Sequence, residues 1–136
     1  MKDENVVYFD FSAKKVSEYV SRGEQKVACV GTLCSETLGN AVVGIFGSKG
    51  IGLANINNVA ELEGLLRQIQ GSAKIIGPEE KAEEARKYLI AKGIKIESMF
   101  PTDGYVKFDA NTKCVEVDEP SITYLTKPSR SANYLN

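Results

Sequence analysis

Ala41-Val42-Val43-Gly44-Ile45-Phe46 is the stretch on which the fold turns. It has no polar side chain, and Val42, Val43 and Ile45 are β-branched, which suits a strand covered on both faces. Such a strand needs one layer above it and another below. Residues 26–31 (KVACVG) read as a second buried strand. The polar stretch 32–40 between them reads as a loop carrying Cys34.

Towards the N-terminus, 6–11 (VVYFDF) is β-branched and aromatic and predicts a strand. Ser12 is placed to cap a short helix with Val16, Tyr19 and Val20 on one face and Gly23 at its end. Towards the C-terminus, Gly47-Ser48-Lys49-Gly50-Ile51-Gly52 reads as a glycine-rich loop. Asn58 and Glu61 then make a capping-box start for a second helix, whose apolar face is Val59, Leu62, Leu65, Leu66 and Ile69, closed by Gly71. After a short strand at 73–76, Pro78 opens a third helix. Glu79, Glu80, Glu83 and Glu84 sit at its positive end, and Gly93 closes it. Strands at 94–97, 105–109 and 114–118 follow, the last two as a hairpin. The expected fold is α/β (α+β): one mixed sheet of six to seven strands with three helices packed on it. Residues 1–118 form a single domain. Residues 119–136 are expected to form a tail, partly docked through Ile122, Tyr124, Leu125, Tyr134 and Leu135 or disordered.

Composition removes several chemistries. None of the 136 residues is histidine, which excludes Ser–His and Cys–His nucleophile pairs and imidazole-ligated metals. With 17 basic and 18 acidic side chains interspersed, no basic stripe is present to meet phosphates, so nucleic acid is not an expected partner. No apolar run approaches the roughly 18–20 residues that cross a bilayer, so a membrane is not expected either. Three cysteines without a secretory leader predict a cytoplasmic protein with reduced thiols. No metal site and no cofactor are expected.

Two segments carry candidate chemistry. Glycine-rich loops turn backbone N–H groups inward, so Gly47, Ser48, Lys49, Gly50 and Gly52, with Asn55 beside them, form a candidate site for a small anionic ligand. Cys34 is the candidate nucleophile, with Thr32 and Ser35 as hydrogen-bond donors. The string from Phe46 to Ala54 is similar to the cofactor loop of short-chain dehydrogenases, and Tyr88 and Lys92 match their Tyr-x-x-x-Lys. However, Phe46 replaces that family's first glycine, and the loop follows a third strand where the family has the first.

The second half resembles the C-terminal part of the CheD family of bacterial chemoreceptor glutamine deamidases. The likeness runs through Ile76-Gly77, a helix with Ala82, Ala85 and Leu89, then Gly93-Ile94-Lys95-Ile96, Gly104-Tyr105-Val106-Lys107-Phe108-Asp109, and Val115-Glu116-Val117. The resemblance puts Gly31-Thr32-Leu33-Cys34 where that family has its nucleophile. It puts Gly47 or Ser48 where the family has its histidine, which implies loss of the deamidase mechanism and retention of a binding surface. Three readings follow: a binding or regulatory module for a small anion or a protein partner, a Cys34-dependent amidohydrolase, and a homo-oligomeric assembly protein.

Overall fold

The computed structural model describes residues 17–118 and contains nine strands and two α-helices. The strand expected at 6–11, the start of the helix expected at Ser12, and the tail 119–136 lie outside the described residues. The strands are β1 (Ser17–Tyr19), β2 (Gln25–Ala28), β3 (Thr32–Glu36), β4 (Ala41–Gly47), β5 (Gly50–Ile56), β6 (Gly71–Ile76), β7 (Ile96–Phe100), β8 (Tyr105–Asp109) and β9 (Cys114–Asp118). The helices are α1 (Leu62–Gln68), entered through a 3-10 turn at Val59–Glu61, and α2 (Glu79–Ala91).

The strands form two sheets, not one. Five lie in the order β2-β5-β4-β6-β7 and four in the order β1-β3-β8-β9. The burial patterns give the reason. Every residue of β4 and β5 is buried, so their sheet is covered on both faces. In β8 and β9, less exposed residues alternate with exposed ones, the mark of a sheet with one wet face. One sheet of seven strands under helices would leave one face of β4 and β5 uncovered, and the second sheet supplies that cover.

The result is three layers. Ala41, Val43 and Ile45 point from β4 to the helices, where they meet Leu62, Leu65, Ala82, Ala85 and Leu89. Val42 and Phe46 point the other way, to Leu33, Val106 and Phe108 of the smaller sheet. Phe46 and Phe108 stack with ring centroids 5.2 Å apart. The Phe108 ring fills the volume that a side chain at Gly44 would need.

Two helices replace the expected three. Ser17–Tyr19 is a strand, paired in parallel with Thr32–Cys34. The spacing of Val16, Tyr19 and Val20 imitates a helix face, yet Val20 enters the core between the sheets while Tyr19 turns to the outside. The stretches read as loops at 32–40 and 47–52 contain β3 and the start of β5. Ser35 masked β3, being a polar residue on the buried side. Gly50 and Gly52 masked β5. Leu65 of α1 packs so closely on Gly52 that a Cβ there would lie 2.7 Å from its Cδ1.

Gly44→Ala forces the Phe108 ring from its seat and costs about 1–3 kcal/mol, as overpacking does. A fall in the urea midpoint at unchanged slope is the expected result. An unchanged midpoint would show that the two sheets have room to separate.

Candidate interaction surface

Where β3 ends, the chain crosses from the smaller sheet to β4 of the larger one in four residues, 37–40. The Asn40 N–H donates to the Thr37 carbonyl at 2.7 Å, closing a β-turn. Both central residues have positive φ, Leu38 at 44° and Gly39 at 87°, the signature of a type I′ turn. Glycine takes that geometry freely. Leucine pays roughly 1–2 kcal/mol for it, because its Cβ crowds the carbonyl. Leu38 is also 64% exposed, so burial does not offset the strain.

The turn is held from several directions. The Asp103 carboxylate accepts from the Thr37 hydroxyl at 2.8 Å and from the Gly39 N–H at 3.0 Å. Gly104 N–H donates to the Thr37 hydroxyl at 2.8 Å, and Thr37 N–H to the Gly104 carbonyl at 3.0 Å. Arg22 donates to the Leu38 carbonyl at 2.7 Å. The Asn40 amide donates to the side-chain oxygens of Asn55 and Asn57, each at 3.1 Å.

Beneath the turn lies a buried polar chain. Asn55, on β5 and facing the smaller sheet, donates to the Ser35 hydroxyl at 2.9 Å and to the Glu36 carbonyl at 2.8 Å. The Ser35 hydroxyl in turn donates to the Val20 carbonyl at 2.6 Å. Both donors of Asn55 are used and its oxygen accepts from Asn40, so this buried amide carries little desolvation penalty. It locks the end of one sheet to the other.

The residues singled out in the sequence fall in separate places. Cys34 lies in the middle of β3, not in a loop, and is 7% exposed on the outer side of its sheet. Ser35 faces the opposite way, as successive strand residues do, and so does not serve a nucleophile at Cys34. Thr32 opens the same strand. Gly47, Ser48, Lys49 and Gly50 form the tight turn of the β4–β5 hairpin, with Gly47 paired to Gly50. That turn joins strand to strand and does not open a helix, and the Lys113 ammonium donates to the Gly47 carbonyl at 2.6 Å. Asn55 lies five residues along β5 from Gly50, about 17 Å at the strand rise. The loop and Asn55 are therefore not one site. Cys29, expected inside a strand, is exposed beyond the end of β2, and Cys114 is exposed at the start of β9, where it alternates with the less exposed Val115 and Val117.

Tyr88 and Lys92 meet on α2, but with a carboxylate. Tyr88 donates to Glu63 of α1, and Lys92 forms an ion pair with the same group. The hydrogen bond to Glu63 raises the Tyr88 phenol above its ordinary value, with burial adding to it. A catalytic phenolate needs the reverse shift. Among the described residues no group of three or more Cys, Asp and Glu is placed to hold a metal ion, and no helix is long and apolar enough to cross a membrane.

The turn at 37–40 was not legible in the sequence as a site. Its only signal is Leu38-Gly39 between polar neighbours. Asp103, which holds it, lies 64 residues from Gly39. No family model and no curated protein matches this chain.

Two outcomes are expected. Leu38→Gly relieves the turn and leaves the protein as stable or up to about 1 kcal/mol more stable in urea; a clear loss would show that Leu38 is held by packing. In a spectrophotometric titration, Tyr88 ionises above the usual value near 10. Glu63→Gln moves that transition downward, and an unchanged curve would remove Glu63 as its cause.

Proposed function

We propose that this chain is a binding module of a regulatory kind, acting by recognition rather than catalysis, with the turn at 37–40 as its docking point. One observation carries the reading: an exposed leucine is kept in a left-handed conformation by hydrogen bonds to Asp103, Arg22 and the buried Asn55 chain. Strained residues persist where the surroundings over-determine them, and they cluster at functional sites. A large apolar side chain on a preorganised turn loses little entropy on binding, which suits an anchor for a protein partner.

The resemblance to chemoreceptor glutamine deamidases fits the same reading. With Gly47 or Ser48 where that family has its histidine, a partner surface is what such a chain retains. Amidohydrolysis at Cys34 is served less well, because Ser35 is committed to Val20 and Asn55 on the other side of the strand.

The test is selection of peptides from a random phage-displayed library on the immobilised full chain, with clones then scored on Leu38→Asp and Asp103→Ala. Aspartate tolerates the left-handed turn, so the first variant keeps the backbone geometry while it replaces the apolar anchor with a charge. Loss of at least tenfold in affinity on both variants is expected. Clones indifferent to both would reject the turn as the docking point.

A further inference from the structure

The turn at 37–40 is continuous with the outer face of the smaller sheet, and that face has a chemistry of its own. Registers fix its rows. Glu36 of β3 stands opposite Tyr105 of β8, and Tyr105 opposite Asp118 of β9. Leu33, Val106 and Phe108 occupy the core side of these strands, so Glu36, Tyr105 and Asp118 share the outer side. Facing residues have Cβ atoms about 5 Å apart, which places the Cβ atoms of the two acids about 10 Å apart with the tyrosine between them. Tyr19, from β1, reaches into the same row and donates to Glu36 at 3.3 Å.

Tyr19 and Tyr105 are 43% and 42% exposed. Burial first, then the neighbouring Cys34, Tyr19 and Glu36, raise the Tyr105 phenol, while burial and then Glu36 raise that of Tyr19. Both rings are therefore neutral at physiological pH. On the same face Lys107 pairs with Glu116 at 3.7 Å. Among the described residues Glu36 and Asp118 form no ion pair. The chain as a whole is nearly balanced, with a net charge of −1, yet this row sets two carboxylates that have no ion-pair partner among the described residues beside aromatic rings.

We propose that the row Glu36–Tyr105–Asp118, with Tyr19, receives an arginine side chain of a protein partner whose apolar residue sits on Leu38. A guanidinium is flat and weakly hydrated, stacks on an aromatic face and donates in its own plane to carboxylates on either side. The spacing of one aromatic between two acids across three strands matches that shape. Lysine, a compact and strongly hydrated point charge, uses the ring less well. This inference rests on the binding reading above and adds the chemistry of the partner.

The experiment titrates the 15N-labelled full chain, at low ionic strength, with the peptide Ac-Ala-Ala-Arg-Ala-Ala-NH2. A counterpart with citrulline, the neutral isostere of arginine, runs in parallel. Saturable shifts at the amides of Tyr19, Glu36, Tyr105 and Asp118 are expected, with the citrulline peptide at least tenfold weaker. Glu36→Gln with Asp118→Asn, which keeps the shape and an acceptor at each position, is expected to weaken arginine binding at least fivefold. Tyr105→Leu is expected to do the same with both charges intact. The proposal is overturned by the absence of saturable shifts, by shifts of equal size at the acidic start of α2, or by indifference to these variants. Arginine binding without any Leu38-dependent peptide would reject the turn and keep the cation site. Leu38-dependent peptides without arginine binding would do the opposite.

Discussion

Phe108 rests against the bare backbone of Gly44 and stacks on Phe46, and this contact between the two sheets is the one on which the other layers depend. Burying a phenylalanine contributes about 2–3 kcal/mol, but its structural effect is larger than that figure. It brings the smaller sheet down on a strand with no hydrophilic face. Once β4 and β5 are covered on that side, the helices need to cover only the other. Ala41, Val43, Ala54, Ala82 and Ala85 keep that second interface close.

The same contact sets the position of the polar chain. Sheets joined at their centre by apolar residues still have to close at their ends, where the crossing segments bring backbone polar groups. At one end the closure is made by Ser35, Asn55, Asn40 and Thr37, each bonded to a neighbour in the network. The turn at 37–40 is therefore held from inside by the core and from outside by Asp103 and Arg22. Its strain is affordable because so many bonds agree on one geometry. The outer face of the smaller sheet follows from the same arrangement: one side of β3, β8 and β9 is committed to the core, and alternation sends Glu36, Tyr105, Lys107 and Asp118 outward.

Cys34 and the glycine-rich segment show how local pattern and tertiary position diverge. Thr32-Leu33-Cys34-Ser35-Glu36 reads as polar because one of its two inward residues is a serine, and that serine is buried only because Asn55 meets it from the other sheet. Gly47 to Gly52 reads as a ligand loop because glycines are conspicuous there. In the fold, Gly52 makes room for Leu65 and Gly47 and Gly50 close a hairpin. Tyr88 and Lys92 likewise acquire their character from Glu63, 25 residues before Tyr88 and on another helix.

The sequence by itself determined the buried strand at 41–46, the helix begun by Pro78 and closed before Gly93, the Asn58 cap, and the hairpin of β8 and β9. Each of these rests on residues within one or two turns of one another, where periodicity, capping and proline geometry act directly. Only the tertiary structure decided that the strands divide into two sheets, that Ser17–Tyr19 is extended, and that Leu38 is left-handed and exposed. It alone also set Glu36, Tyr105 and Asp118 in one row. These features depend on partners tens of residues away, and the free energy that selects them is the burial of both faces of one sheet, which no local window contains.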